Sequence, residues 1–144
     1  MFTALALAII AAAGAADRHP QHDLTASSHD RTVRATLGSH CTRTNDAMMC
    51  ADHIYPLPTK KRLPAHRRGR IVLRFGQDPV EVHATLRDGS SNVLRNVSVR
   101  GDGKRRTVRL PKSLDGTDRL GVFADYGAQE SADFEVDLRR HRHG

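Results

Sequence analysis

The residues best suited to chemistry in this chain are two cysteines and nine histidines. Cys41 and Cys50 stand nine positions apart, with His40 before the first and Asp52 and His53 just after the second. As thiolates beside imidazoles, the pair could contribute to a zinc site. Oxidised, the two sulfurs would form a disulfide, the favoured reading for two cysteines in an exported chain. Closing so short a loop would stabilise the fold by about 2.5 kcal/mol in a chain-entropy account. The spacing is not Cys-x-x-Cys, so thiol redox catalysis is not expected.

A second metal arrangement depends on where a leader would be cut. Removal after Ala16 would leave a chain beginning Asp17-Arg18-His19. A free amine, two amide nitrogens and the third-residue imidazole can surround Cu(II) or Ni(II) in a square plane. His19, with His22, His40 and His53, is the residue set for this alternative, a weak copper- or zinc-binding secreted protein. Cutting one residue earlier would destroy the arrangement, and the small residues Ala13, Gly14, Ala15 and Ala16 permit either cut. The plainer reading of these histidines is a polar tail, and on the main reading no cofactor is expected.

Acid–base chemistry has one candidate, Glu81 and His83, two residues apart on the same side of an alternating stretch. They could be a base and its orienting carboxylate, although such pairs are usually a solvated face. No serine sits in a nucleophile elbow and no Gly-rich phosphate cradle is present. The chain is therefore not expected to be an enzyme, and a small secreted hydrolase or inhibitor is kept as an alternative. The formal charge is +7. Lys60, Lys61, Arg62, Arg67, Arg68 and Arg70 make the densest basic segment, and Arg139 to His143 a second. Clustered cations of this kind suit a polyanion. With few aromatics to stack on bases, nucleic acid is not the expected partner. An anionic cell-wall polymer or membrane surface fits better.

The elements that must position these residues are strands. Val80, Val82, Ala84 and Leu86 alternate with Glu81, His83, Thr85 and Arg87, the period of a strand with one dry face and one wet face. The same rhythm recurs at Arg70–Phe75, Val93–Arg100, Arg105–Leu110, Leu120–Tyr126 and Ala132–Leu138, separated by Gly, Pro and Asp turns. Arg95 falls at the parity of Val93 and Val97, which predicts a bulge or an edge position. A further strand is predicted at Thr32–Leu37, a weaker one near Ile54, and a compact turn or short hairpin between the cysteines. With four Phe, two Tyr and no Trp, the core must be mostly aliphatic. The expected fold is all-β: an immunoglobulin-like two-sheet sandwich of about seven strands with no long helix, an open barrel being the alternative. Asp133, Glu135 and Asp137 line one outer face, Arg105, Thr107 and Arg109 another; if their strands are neighbours, opposite charges meet across them.

The expected organisation is a signal peptide over 1–16, a flexible His-containing tail over 17–31, the sandwich over 32–139 and a basic tail over 140–144. The apolar run Leu5 to Ala13 is too short to span a bilayer and ends in small residues, as an export signal does, although no Lys or Arg follows Met1. No transmembrane segment is expected in the mature chain. The pieces Gly38-Ser39-His40-Cys41, Cys50-Ala51-Asp52, Tyr55-Pro56-Leu57-Pro58, Arg109-Leu110-Pro111 and Leu120-Gly121-Val122-Phe123-Ala124-Asp125-Tyr126 resemble those of small exported β-domain proteins of high-GC, actinobacteria-like bacteria. That resemblance implies an exported β domain with paired cysteines and carries over no functional residue. The function expected is a non-enzymatic binding or structural module at the cell exterior.

Overall fold

The computed structural model describes residues 22–59 and 61–141. In chain order its strands are β1 (Leu24–Ser28), β2 (Arg31–Arg34), β3 (Thr36–Arg43), β4 (Met48–Ala51), β5 (Arg62–Ala65), β6 (Arg70–Phe75), β7 (Glu81–Arg87), β8 (Val93–Val97), β9 (Val99–Arg100), β10 (Arg105–Arg109), β11 (Arg119–Gly127) and β12 (Glu130–Arg140). They form two sheets. One has five strands in the order β2-β1-β6-β10-β9, and the other seven, in the order β4-β3-β12-β11-β7-β8 with β5 beside β12. The pairings are antiparallel except for β5, which runs parallel to β12. An all-β domain of two sheets is therefore what the alternation produces.

Strand β12 organises the larger sheet. Ala132, Phe134, Val136 and Leu138 point inward and are buried, because one residue in two must face the core. One edge of β12 pairs with β11 from Glu130 to Asp137. Its other edge pairs first with β3 and then, from Asp137 to Arg140, with β5. The core between the sheets is aliphatic, with Phe75 and Phe134 meeting edge to face at 6.5 Å. Cys41 and Cys50 sit opposite each other on the β3–β4 hairpin and are joined, S–S 2.05 Å.

Among the described residues the chain passes between sheets five times, at Ala35, residues 66–69, residues 76–80, Ser98 and residues 110–118. At Ser98, β8 closes one edge of the seven-stranded sheet and β9 opens an edge of the five-stranded one. The edge position expected from Arg95 is there, with a register shift opposite it at Leu86/Arg87.

Several expectations are corrected. The tail assigned to 17–31 contains β1 and the start of β2: Leu24 and Ala26 are buried and pair with Phe75 and Leu73. Its inward positions are Leu24, Ala26 and Ser28, too small and too polar to announce a strand. Residues 17–21, like the expected signal peptide at 1–16, lie outside the described residues. Val80 is 72% exposed because β7 begins only at Glu81, leaving Val80 at the Gly127 turn, beyond the core. No strand forms at Ile54, which is 93% exposed; the hairpin strand lies earlier, at β4. The basic segment is not a loop throughout, since Leu63, Pro64 and Ala65 of β5 are buried under β12.

Candidate polyanion-binding face

The two sheets treat their outward charges in opposite ways. On the seven-stranded sheet, Asp133, Glu135 and Asp137 of β12 share the outer face with Arg119 of β11 and Arg87 of β7. Glu135 is 0% exposed. It accepts from Arg87 Nη1 at 3.1 Å and Arg119 Nη1 at 3.0 Å, and also from the Leu57 amide and the Ser91 hydroxyl. Arg119 also bridges Asp137 at 3.3 Å and donates to the Leu57 carbonyl. The segment 52–59 lies over this network as a strap: Leu57 is buried, Tyr55 Oη donates to Asp133 Oδ2 at 2.7 Å, and the Thr59 hydroxyl donates to Asp137. A buried carboxylate is tolerated only when paired and hydrogen-bonded, and Glu135 is both.

Two glycines make the network possible. A Cβ on Gly121 would overlap the Arg87 guanidinium, and one on Gly38 would overlap the Tyr55 hydroxyl. Their bare backbones let those side chains lie flat across the sheet. Burial raises the Asp133 carboxyl above its ordinary value, with the charge of Glu135 adding and the Tyr55 hydrogen bond and Arg87 opposing. Burial and the bond to Asp133 raise the Tyr55 hydroxyl above its ordinary value.

The acids of β12 therefore meet Arg87 and Arg119, and the expected pairing with Arg105 and Arg109 does not occur. Those arginines are on β10, in the other sheet. Alternation assigns both sets to outer faces, but it carries no information about which sheet a strand joins.

The outer face of the five-stranded sheet is different. Arg34, Arg70, Arg74, Arg100, Arg105 and Arg109 project from its strands, all exposed, with Thr25, Ser27, Thr32 and Thr107 between them. None of the five strands contains an Asp or Glu. Arg74 stands directly opposite Arg105, and Arg70 opposite Arg109. Like charges in that position destabilise a sheet by a few tenths of a kcal/mol. Of the six, only Arg34 forms an ion pair among the described residues, with Asp23 at 2.8 Å. Along β6 and β10 the arginines recur every fourth residue, about 13 Å of strand rise, with Val72 and Thr107 between them and Arg100 beside Thr107. Arg106, on the inward side of β10, is instead pinned to the carbonyls of Gly103 and Pro79.

The residues proposed from sequence for polyanion contact are dispersed by the fold. Arg70 joins this face, and Arg68 lies on the adjoining turn at its edge. Arg67 is exposed on the same turn, Arg62 starts β5 opposite Asp137, and Lys61 lines a separate cleft beside Thr36 and Pro58. Lys60 lies outside the described residues. Arg74, Arg100, Arg105 and Arg109 lie outside the densest basic segment of the sequence. Their outward parity was legible, but the three segments bearing them are distant in sequence and no single run marked them.

Six of the seven histidines among the described residues gather into two groups, and His83 lies apart. His22, His40 and His53 lie in a row, ring centroids 5.4 and 6.1 Å apart, and His22 is buried. His22 Nε2 is hydrogen-bonded to the Thr42 hydroxyl and His40 Nδ1 to the Gly38 carbonyl. His19 lies outside the described residues. At the other end, His66 stacks on His141 and meets His29 edge-on, each at 4.2 Å. Among the described residues, no group of three His, Cys, Asp or Glu is placed to hold a metal ion, and the cysteine sulfurs are consumed by the disulfide. Glu81 and His83 do pair, at 2.8 Å, but more than half of each side chain is in solvent. No helix among the described residues is long and apolar enough to cross a membrane.

Comparison with known proteins returned no match to a family model, a curated protein or a solved structure.

Proposed function

We propose that this protein is an exported, non-enzymatic binding module of immunoglobulin-like sandwich type that holds an anionic polymer of the cell surface against its five-stranded sheet. The observation that carries this reading is an arginine face with no carboxylate in its strands, on which Arg74 faces Arg105 and Arg70 faces Arg109. The other sheet, by contrast, supplies acids opposite its outward arginines. A polyanion lying along the strands would relieve the repulsion and meet a cation at each row. The disulfide supports the export half of the reading, since such bonds persist in oxidising compartments.

The test is retention of the purified protein on immobilised polyphosphate. Retention at low salt that is abolished by about 0.5 M salt is the expected result, because exposed charges are screened over a few ångströms there. Retention should also fall in the double variant Arg74→Ala/Arg105→Ala. Failure to bind at low salt, or binding that salt leaves unchanged, would overturn the reading.

A further inference from the structure

The edge of the arginine face is not flat. Where β8 gives way to β9, a groove of about 470 Å³ is lined by Arg68, Arg95, Arg100, Arg109 and Lys112. Arg100 and Arg109 belong to the outer face of the five-stranded sheet, so the groove is continuous with it. Arg95 comes from the other sheet. It sits opposite Leu86, at a parity that would face the core in a central strand. On an edge strand that parity delivers its guanidinium to the gap between sheets. An inward-pointing charge also discourages another strand from pairing there.

The walls are tied by backbone. The Arg109 amide donates to the Ser98 carbonyl at 3.4 Å, and the Arg68 amide to the Pro111 carbonyl at 3.0 Å. Asn96 and Ser98 add neutral polar groups to the lining. No carboxylate lines the groove, and among the described residues none of its five cations is in an ion pair.

We infer that this groove is a discrete site for one multiply charged phosphate group, a phosphomonoester or a diphosphate. The inference rests on the polymer reading above and adds an anchoring point to it. Five uncompensated cations around one cavity are poorly matched by a single carboxylate or phosphodiester charge. A phosphomonoester carries nearly two negative charges and three strong acceptor oxygens. Guanidinium forks bind such oxygens in pairs, and four of the five cations are arginines. A flat face can track a chain of charges, whereas a concave one can also enclose a terminal group. The same chemistry is borne by the phosphorylated end of a surface polymer and by a phosphomonoester lipid headgroup.

Calorimetric titration of the full chain with sodium pyrophosphate, at fixed ionic strength, tests the inference. Saturable one-site binding is expected, with sodium succinate binding far more weakly. Arg95→Ala and Lys112→Ala, neither on the flat face, should each weaken pyrophosphate binding by about tenfold or more, as loss of a charge-assisted contact does. Arg74→Ala should leave it unchanged. Pyrophosphate that displaces the protein from phosphatidate vesicles assigns the group to a lipid; displacement only from phosphate polymer assigns it to the polymer end. If pyrophosphate does not bind, binds no better than succinate, or binds both groove variants as well as the parent, the groove site is wrong. With polyphosphate retention intact, that outcome leaves the polymer reading standing. If retention is lost as well, both fail.

Discussion

The outer faces of both sheets present arginines on the same kind of scaffold, yet one closes its charges and the other leaves them open. On the seven-stranded sheet, three acids and two arginines are interleaved, made possible by two glycines and covered by the 52–59 strap. On the five-stranded sheet, arginine faces arginine across neighbouring strands and no acid is supplied. The first arrangement contributes to folding. The second works slightly against it, a cost that the proposed polyanion contact would offset. The contrast teaches that charge on a strand has to be judged against its cross-strand neighbours, which composition does not supply.

The largest way to break the comparison is at Glu135. Replacement by Ala takes the shared partner from Arg87 and Arg119, which are mostly covered and keep only Asp133 and Asp137, so Glu135→Ala should lose about 3 kcal/mol of stability in urea unfolding. Gly121→Ala should follow, at about 1–3 kcal/mol, because its Cβ displaces the Arg87 guanidinium from Glu135. A loss below about 0.5 kcal/mol at either position would mean that the closed face is not structural.

These residues also show what the sequence makes legible. The alternation from Ile71 to Leu138 marks the strands and their dry sides, and Arg95 is visible as an edge feature from parity alone. Two cysteines nine apart suffice for the disulfide. Sheet membership is not legible: Arg105 and Asp133 each read as outward, and only long-range pairing separates them. Nor is the burial of Glu135, because the strap that covers it comes from 78 positions away in sequence and its Pro-Leu-Pro pattern shows only an extended chain. Strand β1 escapes notice because two of its three buried positions are Ala and Ser.

A smaller effect sharpens the closed face by pH. Tyr55 ionises above its ordinary value of 10.0 in the folded state. Its contribution is therefore fully present below pH 10 and lost as pH rises through and beyond that value. Tyr55→Phe should flatten this alkaline loss of melting temperature, and a variant as alkali-sensitive as the parent would contradict the assignment. The smallest expected effect has the opposite sign and belongs to the open face. Arg74→Ala should leave stability unchanged or raise it by a few tenths of a kcal/mol, since it removes a like-charge pair. A clear loss of stability would show that the arginine face is held by its own contacts.

The most direct test of the division is an amide chemical-shift map of the protein titrated with polyphosphate at low salt. The account predicts shifts confined to the five-stranded sheet and to the groove residues Arg68, Arg95 and Lys112, with β7, β11 and β12 undisturbed. Shifts centred on β7, β11 or the strap, or spread evenly over both sheets, would contradict it.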